Sequence, residues 1–519
     1  MSDQDRGLSR GQRQGQSRKE DGAQKQGQTS SQSLLGKALT SPMRVVALPF
    51  RLFFKPANDD EHQDSPRDRE RPLYRSQRVA YPFCAGALSF LAIQVILASG
   101  ASLEFMFPDL RLPIPFNLGR SMHVNLAIFW PVLGVMGGVY YVLPEEADAE
   151  IHSPFLAYAH FWLMVAAIVL AQVGLALGFT VGREYLEAPT VFKALFALAI
   201  IMFLYNVIRT FKNTRFQELS GTAIAFMLGI GISVAFYIPT FLFYRNVIVD
   251  ELVKFWTVHI WVEGSFELVI AGLLVPFLIA LTGVQREKLE KWFFLEVCLV
   301  VATAFLAVGH HYFWIGTPLF WQGVGATFGA LQAVPILFLV WTAYSATQRA
   351  QLEDKLALPF LFLISAVFWN LVGAGLYGLA LTFPIINLYT HGTVLTSAHA
   401  HLALFGTYGF IVLAFAYYIL PGWHLTRNLN QRWGLVALVL LNVGLFIMGG
   451  ALTIAGILQV YLWRLLGMDF ITVRQLVSPV MAVRTLGAAV FAAGGLIPWT
   501  NVLLCAAAFL RRKPSKQSS

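Results

Sequence analysis

Twelve apolar segments follow one another along the chain, at roughly 79–101, 121–143, 155–178, 190–209, 220–244, 255–282, 291–315, 318–345, 357–382, 389–420, 431–460 and 478–510. A helix needs about 20 residues to cross a bilayer, and only a helix or a closed barrel satisfies its backbone there. The chain is therefore read as an all-α membrane protein, a bundle of twelve transmembrane helices. Composition agrees: 56% of the 519 residues are hydrophobic and 13% are charged, with a mean hydropathy of +0.60. These values exclude an ordinary soluble globule.

The flanks divide the chain further. Residues 1–78 read as a basic cytoplasmic tail, rich in Gln, Ser, Arg and Gly at its start and without a signal-peptide pattern. Within it, "SLLGKALTSPMRVVALPFRLFFKP" (33–56) mixes apolar and basic residues with prolines that prevent a crossing, so it is read as an interfacial segment. Residues 79–510 form the membrane domain and 511–519 a second basic tail. Lys and Arg crowd "RTFKNTR", "GVQREKLEK", "ATQRAQLEDK" and "LTRNLNQR", loops on one side together with both tails. Basic loops mark the cytoplasmic side, which puts both termini there. "LPEEADAE" (143–150) is acidic on that same side, but the rule counts basic residues only. The net charge of +9 thus reports topology and gives no reason to expect a nucleic-acid partner.

Cys84, Cys298 and Cys505 are too scattered for a disulfide framework, a zinc site, a CxxCH haem attachment or a dinuclear copper centre. No nucleotide loop, nucleophile elbow or internal repeat stands out.

The eleven histidines do. His62, His152 and His424 fall in the tail or loops, and His160 sits low in the third span. The other seven, His123, His259, His310, His311, His391, His399 and His401, all fall in the outer half of the membrane. His123 opens the second span, His259 the sixth, His310 and His311 close the seventh, and the last three lie in the first turns of the tenth. One intramembrane histidine is as often a hydrogen-bonded structural residue as a ligand. Seven at one depth point to metal binding.

Helical geometry narrows the arrangement. At about 100° per residue, His399 and His401 point to nearly opposite faces of one helix and serve two different metals. In "HIWVEGSFE", His259, Glu263 and Glu267 follow at four-residue steps along one face. A carboxylate one turn from a histidine ligand suits iron better than copper. An ion pair is the plainer role for Glu263, but no Lys or Arg lies near it in these spans.

These residues sit in five ordered motifs: "HVNLAIFWPVLGVMGGVYYVLPEE" (123–146), "GREYLEAPT" (182–190), "VHIWVEGSFE" (258–267), "GHHYFWIG" (309–316) and "THGTVLTSAHAHLALFG" (390–406). Over roughly residues 75–425 the chain resembles the large subunit of bacterial nitric oxide reductase, in the heme–copper oxidase superfamily. The resemblance implies two b-type haems and a non-haem iron. It makes His123 and His401 the axial ligands of a low-spin haem b and His399 the proximal ligand of a high-spin haem b. His259, Glu263, His310 and His311 would hold the non-haem iron, with Glu267 an acid beside it. Arg183 would meet haem propionates, and Glu184 would bind a calcium ion with Glu187 near it. The pattern gives His391 no ligand role, and it is read here as a hydrogen-bond donor to a propionate.

Single residues select the branch. The A- and B-family oxygen reductases carry a tyrosine four residues after the first metal histidine, where this chain has Glu263. C-family enzymes carry it about two turns before the histidine pair, where this chain has Ala304 and Phe305. The resemblance departs at "ALQAVP" (330–335), where the family's Glu is Gln332, an amide that cannot carry a proton.

The expected reaction joins two NO with two electrons and two protons into N₂O and water. Protons are expected from the outer face, because no chain of acids or lysines is read across the inner half of the spans. The electron donor implied is a membrane-anchored cytochrome c-type small subunit, in preference to quinol. Two other readings stand beside this one: an oxygen reductase variant on the same scaffold, and a non-redox transporter using a His/Glu relay.

Overall fold

A computed structural model describes residues 73–212, 219–334, 337, 341, 344–345 and 356–511. The expected interfacial segment at 33–56, residues 1–72 of the N-terminal tail and residues 512–519 lie outside the described residues.

The described chain is helical. Eleven of its helices are long and apolar enough to cross a membrane: α1 (Arg75–Met106), α2 (Phe116–Ala147), α3 (Pro154–Ala176), α4 (Thr190–Thr210), α5 (Gly221–Phe241), α6 (Val247–Thr282), α7 (Trp292–His311), α9 (Ala357–Thr382), α10 (Val394–Gly422), α11 (Gln431–Leu465) and α12 (Phe470–Arg511). Between them, α8 (Phe320–Leu331) occupies the start of the eighth apolar segment, whose later residues are described only in part. The sequence reading of a twelve-helix bundle stands on this basis.

Boundaries shift where local chemistry extends a helix beyond its apolar stretch. Asn246 caps α6 by accepting from the N–H groups of Ile248 and Val249, so the helix starts at Val247 and His259 lies several turns inside it. The tail also ends earlier than residue 78. Arg75–Val79 form a tight turn that leads into α1, with Ser76 and Gln77 buried. Glu150 accepts from the backbone N–H groups of Arg75 and Ser76, and Gln77 Nε2 donates to Glu145 Oε1 at 2.9 Å. The acidic "LPEEADAE" loop therefore anchors the entrance of the first span.

Among the most extensive helix contacts, α11, α12, α1 and α2 pack in succession, α3 packs on α4, α5 on α6, α7 on α8, and α9 on α10. Lipid is as apolar as leucine, so association rests on close packing and on polar pairs worth about 0.6 kcal/mol each. Trp369 Nε1 donates to Asn442 Oδ1 at 2.9 Å, and Gln172 Nε2 donates to Asn125 Oδ1 at 2.6 Å. His160, read as a structural histidine, lies 2.7 Å from the Tyr140 hydroxyl through Nε2, and Asn206 donates to that same hydroxyl.

Four helices carry wide π-helical turns: Trp261–Ser265 in α6, Asn370–Tyr377 in α9, His401–Gly409 in α10 and Val460–Leu465 in α11. Such turns cost regular hydrogen bonding and tend to occur at functional sites. Three of the four adjoin the histidines.

Candidate metal and haem centre

His259, Glu263, His310 and His311 converge, with one donor atom from each lying within 4.8 Å of the others. Glu263 is the hub. Its Oε1 lies 2.9 Å from His311 Nε2, and its Oε2 lies 3.4 Å from His259 Nδ1 and 3.8 Å from His310 Nε2. The π-helical turn begins two residues after His259 and contains Glu263. A wide turn leaves a strained carbonyl, and Tyr408 Oη on α10 donates to Val262 O at 2.9 Å. The same turn changes the phase of the helix, so Glu267 is not the continuation of a straight stripe and stands outside the four-donor group.

The histidine pair ends α7 in a tight turn, Ala307–His311. A residue that sequence reasoning missed holds this turn. Asn387, in the short helix Pro384–Thr390, donates through Nδ2 to His310 O at 3.1 Å and accepts from Trp314 Nε1 at 2.8 Å. On the other side, a Cβ added at Gly329 of α8 would stand 2.8 Å from His310 Nδ1. Gln332 is half-buried one turn further along, at the end of that helix.

The donor set fits a metal on the structure's own terms. His259 is buried and neither of its ring nitrogens has a hydrogen-bond partner; His310 Nδ1 is likewise unpartnered. The 3.4 Å approach of His259 to Glu263 is not aligned as a hydrogen bond. Buried imidazole nitrogens left this way are costly unless an ion uses them. Three imidazoles with one carboxylate form a mixed set that suits iron.

The second cluster joins α2 to α10. The rings of His123 and His401 face each other with centroids 6.1 Å apart and planes within 20°. Two imidazoles sharing one metal through bonds of about 2 Å each, with the ring radii added, come to about 6 Å. His401 Nδ1 lies 2.7 Å from Ser397 O, which only a ring N–H satisfies, so Nε2 keeps its lone pair. His123 Nδ1 is buried and without a partner. Two residues before His401, His399 turns the other way: its Nδ1 lies 2.9 Å from Gly373 O on α9. The expected opposition of His399 and His401 is thus present, with His401 facing α2 and His399 facing α9.

His391 departs from expectation. It lies before α10, after the C-terminal turn of Pro384–Thr390, and its side chain is exposed. The loop bends at Gly392 (φ +76°), and Arg464 Nη2 donates to the His391 backbone oxygen at 2.6 Å. The "GRE" loop is likewise tied to protein groups. Arg183 pairs with Asp250 and Glu251 at the start of α6, while Glu184 pairs with Arg120 of α2. Tyr185 takes a left-handed φ of +62°, after which Leu186, Glu187 and Ala188 are buried. Glu187 is 3% exposed and both of its carboxylate oxygens lack a partner, so burial pushes its pKa up to about 7.

Two charged residues inside the spans were not singled out from the sequence. Arg484 of α12 donates to Ser102 Oγ and has no carboxylate partner among the described residues. Glu296 stands in α7 near its basic-loop end, a single acid in the inner half, where no chain of acids or lysines was expected. Both were legible as single charges in apolar runs, a pattern that marks function by default.

Residues 78–490 match the family described as cytochrome c and quinol oxidase polypeptide I. The chain belongs to that family. Within it, the chain is 34% identical over 421 residues to a subunit of the nitric oxide reductase of Stutzerimonas stutzeri, covering 76% of this chain and 86% of the relative. A cytochrome c oxidase subunit 1 homolog of Agrobacterium tumefaciens (strain T37) is 22% identical over 458 residues, covering 81% and 80% of the two chains. The fold is also that of a heme–copper terminal oxidase solved as a dimer by cryo-electron microscopy. The TM-score is 0.67 at 14% identity, over 83% of this chain and 84% of that one. Membership of this heme–copper oxidoreductase family agrees with the helix bundle and with histidine clusters on α2, α6, α7 and α10.

Proposed function

We propose that this chain is the catalytic subunit of a nitric oxide reductase, converting two NO, two electrons and two protons into N₂O and water. The observation that carries the reading is Glu263 at the hub of three imidazoles, the position at which oxygen-reducing relatives are expected to carry a phenol. The 34% identity to the nitric oxide reductase chain of Stutzerimonas stutzeri supports it.

His259, Glu263, His310 and His311 would hold a non-haem iron. His399 would hold a high-spin haem b, and His123 with His401 a low-spin haem b. When bound, these irons supply the Lewis acidity and the electrons for joining two nitrogens. The chain's own residues orient the site. Gly373 O and Ser397 O fix the ring tautomers of His399 and His401, and Asn387 fixes the histidine turn. Glu267, four residues beyond Glu263 and outside the donor group, would give a proton to a reduced substrate. Gln332, an amide, would contribute no proton. Arg484 and Arg183 are cations suited to haem propionates, and Glu184 would offer a carboxylate for a calcium ion.

The membrane orientation follows from the basic loops, with both termini cytoplasmic in a bacterial inner membrane. A membrane-anchored cytochrome c-type subunit would deliver electrons at the histidine end. The deciding experiment is anaerobic NO consumption by the purified complex, with N₂O detection and metal quantification. Two haems and one additional iron per chain with N₂O formed is the expected result. Copper equal to haem would replace the reading with an oxygen reductase, and a preparation that takes up no haem would replace it with a transporter.

A further inference from the structure

Glu296 is the one acidic residue within Trp292–His311, a span otherwise apolar up to its histidines. A carboxylate in such a place is expensive and calls for a function. Facing lipid would be the plainer role, but the helix phase argues against it. Val300, Thr303 and Ala307 lie four, seven and eleven residues further on and are at most 1% exposed. At 3.6 residues per turn they share Glu296's side of the helix, so Glu296, itself half-buried, stands on the stripe that packs into the bundle. It makes no hydrogen bond or ion pair with a described residue, whereas Glu146, Glu150 and Glu263 all do.

The neighbour in question is Glu267. Helices α6 and α7 run antiparallel, and their register is fixed by Gly264, whose added Cβ would stand 2.5 Å from Ala304 Cβ. Glu267 lies three residues from that crossing and Glu296 eight. At about 1.5 Å per residue, Glu296 is about 7 to 8 Å deeper than Glu267, a gap that two extended carboxylates and one water close. Of the other helices packed on α7, α5 and α8 bring no acid or base to this level among the described residues. Glu296 is also one turn from Trp292, and the helix that carries both begins at Arg286, on the basic-loop side.

We propose that Glu296 is a proton relay residue that links the basic-loop end of the bundle to Glu267, and through it to the four-ligand cluster. The step is a hop of one proton: the Glu296 carboxylic acid gives it through water to the Glu267 carboxylate and is reprotonated from the loop side. This rests on the functional reading above. It replaces proton supply from the histidine end, and it gives this chain a proton-bearing group where Gln332 offers none.

The test uses the whole complex in lipid vesicles, comparing wild type, E296Q and the control E287Q in the first turn of the same helix, with electrons supplied at the histidine end. Haem content and the optical spectrum establish that each variant is assembled. In wild type, protons are expected from the basic-loop side, so turnover charges the membrane and a protonophore speeds it. E296Q is expected to lose about tenfold or more of NO turnover with unchanged haem content, while E287Q matches wild type. A fully loaded E296Q within twofold of the wild-type rate, or protonophore-insensitive wild-type turnover with uptake from the histidine end, overturns the proposal. Should loaded wild type consume no NO, the functional reading fails, and the relay is decided by the reduction-induced infrared difference spectrum. A protonated-carboxyl signal that E296Q removes supports it, and its absence in wild type overturns it.

Discussion

Glu263 Oε1 and His311 Nε2 stand 2.9 Å apart, although the two residues come from different helices and are separated by 48 positions in the chain. That contact joins the π-helical turn of α6 to the terminal turn of α7 and sets the distance between the two halves of the donor group. Removing the carboxylate should therefore empty the metal position without dismantling the haem clusters. Glu263→Ala is expected to lose the non-haem iron and about 100-fold or more of NO turnover, with both haem signals retained. The check is the ratio of total iron to haem; a ratio equal to that of wild type with activity intact would falsify the ligand assignment.

The two histidines of α10 should separate by spectroscopy. His401 faces His123 at 6.1 Å between ring centres, whereas His399 engages Gly373 on the opposite side. His401→Ala is expected to abolish the low-spin haem signal and leave the high-spin one, and His399→Ala to do the reverse. Loss of the same signal in both variants, measured by absorption and paramagnetic resonance of purified protein, would contradict the two-sided arrangement.

Much of this centre was legible in the sequence because its chemistry is periodic. Residues His259 and Glu263 lie one turn apart, His399 and His401 lie on opposed faces, and apolar runs define the spans, so spacing alone recovers them. The misses have a physical pattern. An apolar window runs straight through His391 and so implies a helix there, but Gly392 and the chain after Pro384 turn the backbone away first. Four-residue spacing puts Glu267 on a straight stripe only if the helix is regular, and the π-helical turn at Trp261–Ser265 breaks that phase. Asn387 carried no signal, since an asparagine that pins a backbone carbonyl looks like any loop asparagine. Glu296 and Arg484 carried a plain signal, one charge in an apolar run, and were hidden by the prominence of the histidines.

Glu187 gives the protein a pH-dependent stability. Its folded-state pKa is raised from 4.5 to about 7 by burial, so the neutral acid is the form the fold prefers. The sign follows: stability is full below the unfolded-state value near 4.5 and falls as pH rises through about 7, by a few kcal/mol at most. Thermal unfolding in detergent should show a midpoint that declines from about pH 5 to about pH 8, and E187Q should flatten that slope. An unchanged slope in E187Q would assign the dependence to another group.

The approach of α9 to α10 depends on a missing side chain. A Cβ at Gly373 would collide with the backbone carbonyl of Leu402 and lie 2.6 Å from the Ala403 nitrogen, atoms that cannot swing aside as a side-chain tip can. Gly373 is also the residue whose carbonyl accepts from His399, so moving α9 outward stretches that hydrogen bond and releases the ring. Gly373→Ala is expected to destabilise the packed pair by about 1–3 kcal/mol or more and to lower high-spin haem occupancy ahead of low-spin occupancy. Haem content after purification and the thermal midpoint measure both effects. Wild-type values for both would mean that the helices tolerate the methyl group, and that the Gly373 carbonyl does not govern His399.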